Sequence, residues 1–153
     1  MRKLLVVAAF AATCTAFPAY AATDAECQAM WTKADVNKDG TVSGAESMRY
    51  AAAMRVHDKQ MTSDGKLDQT SFMTNCKSDV YMMHKTDAGA PLKGSNSFTE
   101  GQAKDRAVAQ GLMSVSDLKK DGDGIWRGSA TQDGKSVQVA VDYKGNVVPQ
   151  TAP

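Results

Sequence analysis

The chain is poor in the residues that carry most enzymatic chemistry. Only two histidines occur, His57 and His84, and neither has a spaced serine or cysteine partner that would mark a nucleophile. No phosphate-cradling glycine loop, zinc-type cysteine cluster or dinucleotide fingerprint is present, so the sequence reads as that of a non-enzyme. Neither sign of charge dominates, with 18 basic against 17 acidic residues, which leaves no footprint for nucleic acid or for an anionic membrane. Long apolar runs are also missing. The longest, Leu4 to Ala12, is too short to span a bilayer.

That run has another use. Arg2-Lys3, the apolar stretch and the small-x-small triplet Ala19-Tyr20-Ala21 make residues 1–21 a secretory leader, cleaved after Ala21. A lipoprotein reading through Cys14 fits less well, because Ala11-Ala12-Thr13 lacks the usual large apolar residue. The mature chain would have 153 − 21 = 132 residues and a formal charge of (18 − 2) − 17 = −1. A periplasmic or secreted location follows. Cleavage discards Cys14 and leaves Cys27 and Cys76, an even pair that defaults to a disulfide in an oxidising compartment.

What the chain does have is a complete cation loop, Asp35-Val36-Asn37-Lys38-Asp39-Gly40-Thr41-Val42-Ser43-Gly44-Ala45-Glu46. A hard cation such as Ca²⁺ takes six to eight oxygens. Such a loop provides them from side chains one, three and five, the carbonyl of seven, position nine and a bidentate glutamate at twelve. Asp35, Asn37, Asp39, Thr41, Ser43 and Glu46 occupy those positions, and Gly40 permits the sharp turn. Ahead of the loop, Cys27, Met30, Trp31 and Ala34 mark one apolar helix face, opened by a Thr23/Glu26 capping box. Behind it, a helix from about Glu46 to Val56 carries Tyr50, Ala51 and Met54.

On these residues the segment 22–80 resembles the EF-hand family, which implies a helical pair. Its second loop, residues 60–71, aligns Gly65 with Gly40 and Leu67 with Val42, but has Gln60 and Ser71 where the strongest ligands belong. This second copy is degenerate and braces the first. Only residues 47–59 separate the loops, so its leading helix is expected to be truncated. Ca²⁺ is the implied cofactor, held with modest affinity by three carboxylates and one asparagine. A trivalent lanthanide is the runner-up ion, although Ser43 leaves fewer anionic ligands than it favours.

Residues 81–97 read as a linker, through Thr86 to Pro91 and Gly94-Ser95-Asn96. Beyond it, Thr99 and Gln102 cap a helix ending at Gly111, and strands are expected near 115–119, 125–130 and 137–143. Asp121-Gly122-Asp123-Gly124 and Asp133-Gly134 supply the turns. The runs Gly124 to Gly128 and Val139 to Val147 make residues 98–148 similar to the PepSY-type modules of exported bacterial proteins, with 149–153 as a tail. The expected fold is α+β, an EF-hand pair with one degenerate member followed by an antiparallel αβββ module.

Two functional classes follow. In one, calcium is structural, buffered or sensed, and a sensor would present a methionine-rich face to a protein partner. Seven of the 9 − 1 = 8 methionines left after cleavage, Met30, Met48, Met54, Met61, Met73, Met82 and Met83, fall in or just after the helical segment. The plainer use of these methionines is core filling. In the other class, an envelope protein-binding or protease-inhibitory role resides in the αβββ module, and calcium only stabilises the fold.

Overall fold

The computed structural model of the protein describes residues 21–82 and 89–151. Met83, His84 and all of the expected leader except its last residue lie outside that range. The architecture is α+β, four helices followed by a four-stranded antiparallel sheet. No helix among the described residues is long and apolar enough to cross a membrane.

Helix α1 (Asp24–Ala34) begins where the capping box predicts. Thr23 Oγ1 accepts from the Glu26 amide at 3.3 Å, and Glu26 Oε2 accepts from the Thr23 amide at 2.8 Å. Its buried stripe is Cys27, Trp31 and Ala34. A short strand β1 (Thr41–Val42) leads into α2 (Gly44–Val56), which starts two residues ahead of expectation and is capped by His57, with Asp58 just beyond in left-handed backbone at φ 53°. The next loop runs directly to β2 (Leu67–Asp68) and α3 (Gln69–Lys77), so the truncated helix expected there is absent and α2 flanks both loops. β1 pairs with β2 in the register read from the glycines, Val42 opposite Leu67.

These three helices close on one core. Phe72 is fully buried among Trp31, Tyr50 and Tyr81, with ring centroids 4.8 to 5.2 Å apart. The Cys27–Cys76 disulfide joins α1 to α3 across 49 positions, with a Cα–Cα distance of 5.7 Å. Closing a loop of that length removes chain entropy from the unfolded state, about 4 kcal/mol in the simplest treatment. The Tyr81 hydroxyl is buried and finds no hydrogen-bond partner among the described residues. Burial pushes its pKa up to about 12, while the Asn75 side chain pulls the other way without reaching hydrogen-bond geometry.

Helix α4 (Glu100–Ala109), capped by Thr99 and Gln102, stands between this core and the sheet. Ala103 and Ala107 pack with the sheet, whereas Val108 and Ala109 pack with the helical core. The sheet is a meander in the order β3 (Lys119–Lys120), β4 (Trp126–Gln132), β5 (Lys135–Val141) and β6 (Val147–Thr151). It therefore has one strand more than expected. Residues 149–151, read as tail, belong to β6, where Pro149 lies opposite Val139 on an edge strand. A proline is tolerated on an edge because no further strand needs its missing N–H.

The strand expected at 115–119 is instead an interrupted one. Met113 bridges Thr131, the Ser116 amide donates to the Ser129 carbonyl at 2.8 Å, and regular pairing resumes only at Lys119. The alternation expected along 136–143 also fails in part. Ala140 and Asp142 are buried and Tyr143 is exposed, because chain segments cover both faces at that end of β5.

One such segment is the described part of the expected linker. The Leu92 amide donates to Asp142 Oδ2 at 3.1 Å, the Gly94 amide donates to the Asp123 carbonyl at 3.0 Å, and Asn96 is buried. Gly124 allows this approach, since a Cβ there would lie 1.9 Å from the Gly94 carbonyl oxygen at a φ of +78°. Gly134 has a similar φ of +76° but open space around it. Gly134→Ala is therefore expected to cost about 1 kcal/mol from backbone strain alone. Gly124→Ala should cost about 2 kcal/mol or more, because the clash adds to the same strain. Urea denaturation of the two variants measures the difference, and equal losses would contradict the contact.

Candidate functional site

The loop 35–46 is held at both ends by helices. Asp35 is the C-cap of α1 and only 7% exposed, and Glu46 lies in the first turn of α2. Between them the chain bends through Lys38, at φ 58°, and Gly40, at φ 79°. Glycine adopts left-handed backbone without the steric cost that a Cβ brings, which favours it at position 40.

The side chains expected as ligands turn inward onto the loop's own amides. Asp35 Oδ1 accepts from the Asp39 amide and Oδ2 from the Gly40 amide, both at 3.1 Å. Asn37 Oδ1 accepts from the Asp39 amide at 3.0 Å, and its Nδ2 donates to Asp39 Oδ2 at 3.0 Å. Asp39 Oδ1 accepts from both the hydroxyl and the amide of Thr41 at 2.8 Å. Glu46 reaches back across the loop, its Oε1 accepting from the Val36 and Asn37 amides at 3.2 Å. Its other oxygen, Oε2, is buried and has no hydrogen-bond partner among the described residues. Ser43 caps α2 in extended backbone, but its side chain makes no capping hydrogen bond.

The structure thus gathers Asp35, Asn37, Asp39 and Glu46 into one network, with Thr41 joined through Asp39 and Ser43 at its margin. Among the described residues no salt bridge neutralises Asp35, Asp39 or Glu46. Nor does any group of three or more His, Cys, Asp or Glu side chains stand together in metal-holding geometry among them. The carboxylates face amide N–H groups and not a common centre. A hard cation would have to draw them round, and the observation that fits one is Glu46 Oε2. A buried carboxylate oxygen without a donor is costly unless a charge or hydrogen bond offsets it.

The second loop offers less. Asp64 accepts from the Thr62 hydroxyl at 2.6 Å, and Asp68 caps α3 by accepting from the Ser71 amide at 2.8 Å. Both carboxylates do local work, and the amide and hydroxyl of Ser71 both donate to Asp68. Gly65, at φ 70°, repeats the turn of Gly40.

Sequence reading missed the residues that hold α2 from behind. Arg49 Nε donates to the Ala109 carbonyl at 3.2 Å, and Arg55 forms a two-pronged pair with Asp105 at 2.6 and 2.9 Å. Their positions in α2 gave no signal, because the partners lie on a helix fifty or more residues away. The methionines divide: Met54 is buried, Met30, Met61 and Met73 pack partly against the core, and Met48 and Met82 are exposed. No continuous methionine face forms among the described residues. His57 is exposed at the end of α2.

No family model matches the chain, and no curated protein or solved structure matches it significantly.

The Thr41 hydroxyl, followed by its amide, holds the Asp39 carboxyl below its ordinary 3.8. A carboxylate with a lowered folded pKa contributes stability that is present above the unfolded value and is lost as pH falls through the folded value. A carbon-detected NMR titration without added metal should place Asp39 below 3.8. In Thr41→Val, which keeps only the amide donor, it should return part of the way. An unchanged Asp39 titration in that variant would contradict the hydroxyl's role.

Proposed function

We propose that the protein is an exported, non-enzymatic Ca²⁺-binding protein with one competent EF-hand-like loop, residues 35–46. The observation that carries this reading is the buried, partnerless Glu46 Oε2, at the one position where the loop pattern requires a bidentate oxygen. Side chains of Asp35, Asn37, Asp39 and Glu46, the Thr41 carbonyl and Ser43 would hold the ion. What the ion would supply is positive charge for three carboxylates that no salt bridge neutralises among the described residues. The Cys27–Cys76 disulfide suits an oxidising compartment and supports a location outside the cytoplasm.

A structural use of calcium is favoured over a sensor. A sensor opens by swinging the helix that carries the lid glutamate. Here that helix, α2, is fastened on two sides. Tyr50 packs on Phe72 and Tyr81 within the disulfide-closed core, while Arg49 and Arg55 bind α4. The αβββ-like segment, with its additional fourth strand, then acts as the anchor for the lid helix.

Titration calorimetry with Ca²⁺ tests the site. One ion per chain is expected, with Glu46→Gln weakening affinity about 100-fold or more and Ser71→Ala changing it less than about twofold. Absence of binding at millimolar calcium, or equal effects of the two substitutions, would overturn the assignment. A second measurement separates the two uses of calcium. Fluorescence of an apolar dye should stay flat on adding Ca²⁺, and a large rise would favour the sensor.

A further inference from the structure

The start of α1 and the end of α3 are joined at more than the disulfide. Lys77 at the end of α3 pairs with Asp24 at the start of α1, and Cys27 and Cys76 lie within one turn of that pair. Just beyond both helix ends, the Ala22 backbone nitrogen donates to Asp79 Oδ1 at 3.3 Å. Ala22 is only 8% exposed and its side chain belongs to the helical core, whereas Ala21 is exposed. The chain therefore passes from solvent into the core between residues 21 and 22, at the expected cleavage point.

We propose that leader cleavage after Ala21 creates a charged latch, in which the new α-ammonium group of Ala22 pairs with Asp79 and fastens the start of α1 to the end of α3. The proposal rests on the export reading above. Before cleavage, the nitrogen of Ala22 is a neutral amide with one proton to donate. Hydrolysis of the Ala21–Ala22 peptide bond leaves a carboxylate on the departing leader and an ammonium with three donors on the mature chain. Nothing else need move, because the nitrogen already faces the carboxylate. A charge-assisted hydrogen bond at a half-buried carboxylate is stronger than the neutral one it replaces.

The surroundings make Asp79 available. It enters no salt bridge with Lys, Arg or His among the described residues, and the Ala22 nitrogen is its only side-chain hydrogen-bond partner there. Its backbone is left-handed, with φ 58°, a conformation that aspartate and asparagine tolerate better than most residues. Two features oppose a positive terminus, namely the N-terminal dipole of α1 and the nearby Lys77. The acidic Asp24 and Glu26 of the first turn answer the dipole, and Lys77 is already paired with Asp24. The latch and the Cys27–Cys76 disulfide both join the start of α1 to the end of α3, so processing and disulfide formation favour the same arrangement.

The test uses the full precursor, exported by a bacterial host, with the product's intact mass reporting its first residue. Melting temperatures are then compared for the product, its α-amino-acetylated form, Asp79→Asn, and Asp79→Asn after acetylation. Asn keeps the left-handed backbone and the neutral hydrogen bond, so Asp79→Asn should fold. Acetylation is expected to lower the melting temperature of the wild type by about 3 °C and that of Asp79→Asn by less than about 1 °C. Equal shifts in the two backgrounds, or none in either, would overturn the latch and leave the export reading intact. A mass that begins at a residue other than Ala22 would overturn the cleavage point, and the latch with it.

Discussion

Helix α2 is buried from two directions, and the rest of the structure depends on that. Ser47, Tyr50, Ala52, Ala53 and Met54 are all inaccessible or nearly so, while Met48, Arg49 and Arg55 remain exposed. A helix in this position cannot have the single apolar stripe of a surface helix, because it must satisfy a neighbour on each side. Aromatic packing answers one neighbour. Small side chains answer the other, with Ala52 and Ala53 of α2 and Ala109 of α4 buried in one cluster, which lets α4 approach closely. Glu46 is thus mounted on a helix held from two sides, while its carboxylate is held by the Val36 and Asn37 amides of the loop.

The helical part is small, and three kinds of restraint compensate for its size. Four rings form its centre, a disulfide closes α1 onto α3, and polar contacts at the helix ends fix the approach of the chain. A core of this size in a short chain commonly needs such a staple. The sheet part has no disulfide and relies on a valine-rich interior and on Asp142. That buried carboxylate accepts from the amides of Leu92, Lys144 and Asn146 and from the Asn146 side chain, joining the last turn to the chain ahead of α4. A buried carboxylate with four donors is a structural hub, and the four hydrogen bonds meet the cost of its burial.

Much of this was legible in the residues. Thr23 with Glu26 and Thr99 with Gln102 mark both capped helices, because capping boxes work through neighbours three positions apart. Asp133-Gly134, both left-handed in the structure, place the β4–β5 hairpin for the same local reason. The Val42–Leu67 register followed from aligning two glycines. Less legible was anything whose partner is remote. β6 was hidden by Pro149, which reads as a strand breaker until the strand is known to lie at an edge. Residues 92–97 look like a spacer by composition, yet Gly94 and Asn96 are there to meet Asp123 and the sheet.

The candidate site divides along the same line. The sequence by itself determined which oxygens stand at each loop position, the two glycine turns, and the pairing of Cys27 with Cys76 once Cys14 is set aside, since all of these follow from spacing or residue type. Only the tertiary structure decided how the helix behind them is held. It locked α2 between two cores and left one oxygen of Glu46 buried with no donor among the described residues. It also scattered the methionines between core and solvent. The restraint on α2 depends on a helix far along the chain, which no local pattern encodes, whereas Asp35 and Asp39 meet amides only two to five residues away.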